Sequence, residues 1–364
     1  MKGERNVNNY EKRLHYIKRI ENISSRDHEL DMMRAFSIFW VIMIHCLYWP
    51  GIVEQGILLS LFLIEMPLIF LITGASNIYA KKRTLLNFYY RRLMRVLKPY
   101  EVYAVLVIII HLILKPSAVN LDFIINWIIP KGGQIAEFNF LNWHLWFMPV
   151  YILVVLVMPL LIFLHEKGYI KYFYGAALAF MVFIGIKEDF LTNPKAAFYI
   201  PTVIFYAFWT TVGFEFVNLK IKRKDNDVTF TVFVIWLGLG IIFLLYGLGL
   251  DTNWNMQMQK TPVRLMFVGY SFISMSLFYI FSPAIILAMK LMKNVRWMQF
   301  LIDSYNKNGF TIYLFHPFIF LIMFSLFGDQ LYAMNKILST VIIFIVVTVL
   351  SPIMGHILGK YNIR

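Results

Sequence analysis

The chain has 364 residues, of which 60% are hydrophobic and only 15% charged, and its 34 Lys and Arg against 20 Asp and Glu leave a formal net charge of +14. The apolar residues fall in long runs rather than in an amphipathic rhythm, which excludes an ordinary soluble domain and predicts an all-α polytopic membrane protein. Basic residues flank those runs instead of forming a groove interleaved with aromatics, so nucleic-acid binding is excluded as the reason for the charge. The single cysteine, Cys46, rules out an internal disulfide and any cysteine-based metal cluster.

Taken in chain order, residues 1–30 carry many charges and no apolar core. They read as a cytoplasmic N-terminal segment, neither a signal peptide nor an anchor, ahead of one membrane domain over 31–364. Ten segments are apolar enough to span, at about 34–50, 57–80, 99–114, 143–164, 172–186, 197–218, 228–248, 265–289, 309–327 and 336–358. Residues 121–130, from Leu121 to Pro130, are apolar but too short to cross and are expected in the outer interface or as a re-entrant piece. An even number of spans puts both termini on one side, and 27 of the 34 basic residues lie on that side. By the positive-inside rule both termini are cytoplasmic. Pro67, Pro149, Pro159, Pro201, Pro317 and Pro352 fall within spans, where each removes a backbone donor and frees the carbonyl four residues earlier. No solenoid period and no inverted repeat is visible.

Arg34 and His45 lie eleven positions apart on the first span. Eleven residues are close to three helical turns, so both side chains share a face and are separated by roughly 16 Å along the axis. With Arg34 at the membrane surface, His45 falls near the midplane, and an intramembrane ionisable group marks a functional site. Asp31 stands three residues before Arg34 and is placed to pair with it. Taken alone, Arg34 reads equally well as an anchor that snorkels to the surface. Glu65, deep in the second span, needs a partner such as Arg34 or a histidine, or else a proton.

The loop after the second span holds Lys81-Lys82-Arg83 and then Arg91-Arg92-Leu93-Met94-Arg95, followed by Lys98. Arg92 and Arg95 are i, i+3 neighbours, and two guanidinium forks on one face suit a multiply charged phosphate. Plain membrane orientation accounts for some of this charge, but seven basic residues within 81–98 exceed what orientation requires. At the start of the ninth span stands Gly309-Phe310-Thr311-Ile312-Tyr313-Leu314-Phe315-His316-Pro317. Tyr313 and His316 share a face, Pro317 frees the Tyr313 carbonyl, and packing of this helix on the first would bring His316 to His45. At the outer end of the fourth span, Trp143, His144 and Trp146 read either as a sugar-stacking platform or as an aromatic belt. His111, His165 and His356 have no helpful neighbours in sequence and are expected to be structural. A Gly-rich nucleotide loop, a zinc motif and a nucleophile elbow are all missing.

Together, the Arg34 to His45 spacing, Arg92-Leu93-Met94-Arg95, His144-Leu145-Trp146-Phe147 and Tyr313-Leu314-Phe315-His316 resemble the acyltransferase-3 family of integral-membrane O-acyltransferases, over about residues 28 to 358. The resemblance implies transfer of an acyl group, usually acetyl, from cytoplasmic acyl-CoA to a carbohydrate hydroxyl on the far face of a bacterial plasma membrane. Carried over by position, Arg34 and His45 match the family's essential pair, Arg92 and Arg95 its CoA-associated arginines, and Tyr313 and His316 a looser late motif. Many members carry a soluble hydrolase-like domain after the bundle, whereas this sequence stops at Arg364 and so resembles the stand-alone subgroup. The site expected is therefore catalytic at His45, Arg34, His316 and Tyr313. Acetyl-CoA, the donor, is held by Arg92, Arg95, Arg91 and Lys98, and a carbohydrate or glycolipid acceptor by His144, Trp143, Trp146 and Glu65. Lipid is the other partner, and no metal is expected. A carrier exporting a polysaccharide or small anion without chemistry is the rival reading, kept alive by Pro67 and Pro317.

Overall fold

The structure, a computed structural model, describes residues 27–53, 56–78, 84–132, 134, 136–187, 190–222, 227–249 and 253–361. The charged segment before residue 27 and the run Lys81-Lys82-Arg83 lie outside the described residues. Among the described residues the regular structure is helical, with no strand. The main helices are α1 (His28–Tyr48), α2 (Glu65–Ile78), α3 (Leu85–Leu114), α4 (Leu121–Ile128), α5 (Phe147–Glu166), α6 (Ile170–Ile186) and α7 (Pro194–Lys222). They are followed by α8 (Asp227–Gly247), the short α9 (Met256–Lys260), α10 (Leu265–Met292), α11 (Arg296–Phe315), α12 (Pro317–Ala333) and α13 (Lys336–Lys360).

Six helices (α1, α3, α5, α7, α10 and α13) are long and apolar enough to cross a bilayer, and α11 with α12 makes a seventh if the bent pair counts as one span. Each of the ten apolar segments falls on a helix, but α6 is short and α2 has only 14 residues. The second segment is divided because Pro67 has no N–H to give the Leu63 carbonyl, so the chain turns through 61–64 and a new helix begins at Glu65 with Pro67 in its first turn. The third is longer than expected: its helix starts at Leu85 and carries Pro99 inside it. The ninth is broken between His316 and Pro317, where α11 and α12 meet at a 52° bend. Proline at the first position of α12 is where its missing donor costs least.

Local chemistry fixes the helix starts. Asp27 caps α1 by accepting from the Glu29 and Leu30 backbone N–H groups at 3.0 and 3.1 Å, with Glu29 and Asp31 in the first turn facing the positive end of the helix dipole. Asn120 caps α4 through Phe123 N–H at 2.8 Å. The closest approach in the bundle is between α2 and α7: a Cβ on Gly74 would stand 1.8 Å from the Thr210 carbonyl oxygen, and one on Gly213 2.0 Å from that of Leu71. Small residues let two backbones touch, the usual way membrane helices associate without a hydrophobic drive between them.

The C-terminal end of α11 sits at the centre. Tyr313 packs in one apolar cluster with α1, α2, α5, α7 and α10, Ile312 in a second with α1, α12 and α13, and Leu314 and Phe315 in a third with α3, α4 and α12. Four consecutive side chains thus lock one turn of helix into three directions. The segment between α3 and α5 is pinned to α3 by buried hydroxyls, with Tyr100 donating to Trp127 O at 2.7 Å and Tyr103 to Leu141 O at 2.8 Å. His111 belongs to the same scaffold. Its Nδ1 donates to Val107 O at 2.9 Å and its Nε2 accepts from the Glu137 N–H at 3.2 Å, which fixes the loop that delivers His144. α4 lays Phe123 and Trp127 against α3 and leaves Leu121, Ile125 and Ile128 exposed, the pattern of a helix lying in an interface.

Candidate active site

Arg34 and His45 project from α1 toward α2 and α11, as the shared face predicts. The Arg34 guanidinium donates to Asp31 Oδ1 at 2.8 Å, to Asn306 Oδ1 at 3.1 Å and to Ser76 Oγ at 2.9 Å, and so ties α1 to α11 and α2. On α3, Arg92 donates to Asn77 Oδ1, lies with its guanidinium 5.9 Å over the Phe88 ring and has the Tyr151 hydroxyl beside it. Asn77 is itself anchored, donating to Thr73 O at 2.8 Å.

These arginines open on a common cavity of about 580 Å³, whose lining includes Arg34, Arg92, Arg95, Ser76, Lys307 and Tyr313. Its wall on α11 carries the one non-helical residue of that helix, Asn308, followed by Gly309, which packs against Ile38. Arg91 and Lys98, seven positions apart on α3, are exposed and do not line the cavity. Arg92 is partly buried, while Arg95, itself exposed, reaches the rim of the cavity.

Beyond Tyr313 lies a histidine cluster. His45 Nδ1 and His316 Nε2 are 2.8 Å apart, and His316 Nδ1 is 2.6 Å from the Tyr313 carbonyl, the group Pro317 leaves free. A carbonyl only accepts, so His316 Nδ1 carries a hydrogen; in the neutral ring Nε2 is then a lone pair, and His45 Nδ1 donates to it. This assignment, made from the hydrogen-bond network, leaves the lone pair of neutral His45 on Nε2. Trp49 stacks on His45 with ring centroids 3.9 Å apart, and His316 stacks on the other neighbours at 4.9 Å from His45 and 5.1 Å from Trp49.

Tyr313 belongs to both the cavity and the cluster. Its hydroxyl donates to the His144 carbonyl at 2.5 Å, and its ring is 6.3 Å from His45 and 5.3 Å from His144. His144 is fully buried; the Leu314 backbone faces it, yet neither ring nitrogen completes a hydrogen bond. Trp143 is half exposed and packs edge-on to Trp49 and Phe140, while Trp146 turns inward toward Tyr206.

Two partners differ from the sequence reading. Glu65 pairs with Lys260 rather than with Arg34 or a histidine: Lys260 Nζ donates to Glu65 Oε1 at 2.8 Å, both side chains being buried. Lys260 sits at the end of the five-residue α9, in a polar stretch between spans where a lysine reads as solvated, so no sequence signal marked it. His165, expected to be alone, is 2.9 Å from Glu215 across α5 and α7. Among the described residues, no group of His, Cys, Asp and Glu is placed to hold a metal ion.

An all-helical membrane bundle with paired intramembrane histidines beside an arginine-lined cavity defines a polytopic membrane protein with a buried polar site. The acyltransferase-3 family model, described as an acyltransferase domain, matches residues 27–356, and the chain belongs to that family. It is accordingly a multi-pass membrane acyltransferase. No curated protein and no solved structure matches it.

Proposed function

We propose that this acyltransferase moves an acetyl group from cytoplasmic acetyl-CoA to a hydroxyl of a cell-surface or lipid-linked carbohydrate, in the plasma membrane of a bacterium, with both termini cytoplasmic. The observation that carries the reading is the hydrogen-bonded His45–His316 pair set one tyrosine away from a cavity into which Arg34, Arg92 and Arg95 all open. Guanidinium groups recognise phosphate by paired hydrogen bonds, and here three converge where a phosphate-rich donor would enter from the basic side of the membrane. The donor supplies an activated thioester. Everything else falls to side chains of this chain.

His45 Nε2 takes the proton of the acceptor hydroxyl as that oxygen bonds to the acetyl carbonyl carbon. The carbon–sulfur bond then breaks, and the same nitrogen returns its proton to the departing thiolate, giving the acetyl ester and free CoA thiol. His316 holds His45 in the tautomer this requires, and its own Nδ1 is committed to the Tyr313 carbonyl. Arg34, fixed by three neutral or acidic partners, lends positive charge to the donor end. Tyr313 closes the cavity against the histidines, where it shields the thioester from bulk water.

The experiment is CoA release from acetyl-CoA by purified protein, with and without glycoside acceptors. Release that responds to acceptor and disappears in His45→Ala fits the reading. Unchanged turnover in that variant removes His45 from the chemistry. A carrier without chemistry releases no CoA from either protein.

A further inference from the structure

We propose that Glu65, Lys260, Trp146 and Tyr206 form the acceptor subsite, and that it takes a neutral ring bearing adjacent hydroxyls. The inference rests on the acyl-transfer reading and adds the acceptor's place and chemistry. It begins from a pair that the transfer step does not use. Glu65 and Lys260 are 2% and 4% exposed, and burying two full charges in a membrane protein is costly even when they are paired.

The pair is incompletely satisfied. Glu65 Oε1 accepts from Lys260, but buried Oε2 has no hydrogen-bond partner, and Lys260 uses one of its three donors. Tyr206, fully buried, has a hydroxyl without a partner and feels the charge of Glu65. Trp146 completes the group, its ring 6.4 Å from that of Tyr206 and 5.9 Å from the Lys260 ammonium. Buried polar atoms are almost always paired, so several orphans gathered around one ion pair point to a ligand that pairs them.

Position and charge select the ligand. Tyr206 stacks on Phe70 at 4.5 Å, Phe70 packs on Phe147 at 5.6 Å, and Phe147 on Tyr313 at 5.5 Å, so the group is joined by a continuous run of rings to the tyrosine beside His45. Glu65 stands eleven residues before Ser76 on α2, about 16 Å along the helix from the partner of Arg34, and one turn before Ile69, where the cavity lining on α2 begins. Since Ser76 binds Arg34 and His45 also lies eleven residues from Arg34, Glu65 is at the depth of His45, beyond the arginines that hold the donor. An anionic group would face the Glu65 carboxylate and a cationic one the Lys260 ammonium. Two neighbouring hydroxyls suit both, one donating to Glu65 Oε2 and the other accepting from Lys260, while an apolar ring face lies on the Trp146 indole.

The test follows CoA release from acetyl-CoA in a detergent without a sugar headgroup, titrated with methyl β-glucoside or methyl β-glucuronide. Wild type is expected to release CoA at least fivefold faster with saturating glucoside and to ignore the glucuronide. Removing one charge alone strands the other, so the informative variant is the double Glu65→Gln/Lys260→Met. It is expected to keep its melting temperature, to bind acetyl-CoA within twofold of wild type and to raise the glucoside KM at least tenfold. Tyr206→Phe, which deletes only an unpartnered hydroxyl, is expected to raise that KM about threefold without loss of Tm, and it decides the matter if the double variant does not fold. Wild-type glucoside KM in the folded variants, or equal use of the two glycosides, overturns the subsite. Basal CoA release with no response to glucoside also overturns it while leaving acyl transfer standing. Absence of any acetyl-CoA binding or CoA release by wild type overturns the transfer reading itself.

Discussion

At the arginine end of the site, the charged groups face an open cavity: Arg92 is held by the neutral amide of Asn77, and Arg34 by Ser76 and Asn306 as well as by the carboxylate of Asp31. At the other end, Lys260 is neutralised by Glu65 and closed in by aromatic rings. An amide orients a guanidinium without cancelling its charge, so Arg92 keeps its attraction for an anion, while Arg34 shares part of its charge with Asp31. At Lys260 a carboxylate at 2.8 Å removes that attraction and leaves local, directional hydrogen bonding. Under the proposed function, this difference separates a polyanionic donor from a neutral acceptor. The histidines sit between, and His45 is the group on which both ends converge.

The largest effect is therefore expected at that meeting point. His45→Ala should lower the turnover number for acetyl transfer by roughly 10³-fold, the range for loss of a positioned general base. Acetyl-CoA binding and the melting temperature, measured alongside, separate lost chemistry from a lost fold. A variant as active as wild type would leave the two ends with nothing to serve.

A smaller loss is expected from His316→Phe, which keeps an aromatic ring against Trp49 but removes the acceptor for His45 Nδ1. An imidazole free to rotate or to change tautomer reacts from the wrong geometry, and roughly a 10²-fold fall in kcat at little-changed KM for both substrates is expected. A rise in KM alone would assign His316 to binding instead.

Next comes the donor end. Arg92→Ala should weaken acetyl-CoA binding by roughly 10- to 100-fold, as expected for hydrogen bonds to a charged group, and should flatten its dependence on salt. Equal affinity and equal salt dependence would break the contrast between the two ends. The double variant Glu65→Gln/Lys260→Met should not produce this signature, because it removes a pair that carries no net charge.

Much of this arrangement was legible from residue spacing, and the parts that were not share a cause. Arg34 and His45 on one face, the bond of Arg34 to Asp31 and the Tyr313 carbonyl freed by Pro317 all follow from 3.6-residue periodicity and one missing N–H. The helical class followed from apolar runs. Span lengths did not, because a run of apolar letters does not reveal that Pro67 starts a new helix or that His316–Pro317 bends one. Lys260 was invisible for a related reason: its partner Glu65 lies 195 positions away, and only helix packing brings them together. The basic cluster on α3 lay between these cases, since charge density flagged it while helix packing decided which members reach the cavity.

That last distinction gives the smallest predicted effect. Arg91 and Lys98 carry the same charge as Arg92 and Arg95 and lie on the same helix, and like Arg95 they are exposed, but they stand outside the cavity lining. Exposed charges act across water and salt, where interactions beyond a Debye length of about 8 Å are largely screened. Arg91→Ala and Lys98→Ala should each change acetyl-CoA affinity by about twofold or less at physiological salt, and by more as salt is withdrawn. A loss as large as that of Arg92→Ala would mean that affinity follows total charge on α3. A small loss would mean that it follows the two side chains that line the cavity, and the donor end would then be a shaped site as well as a basic one.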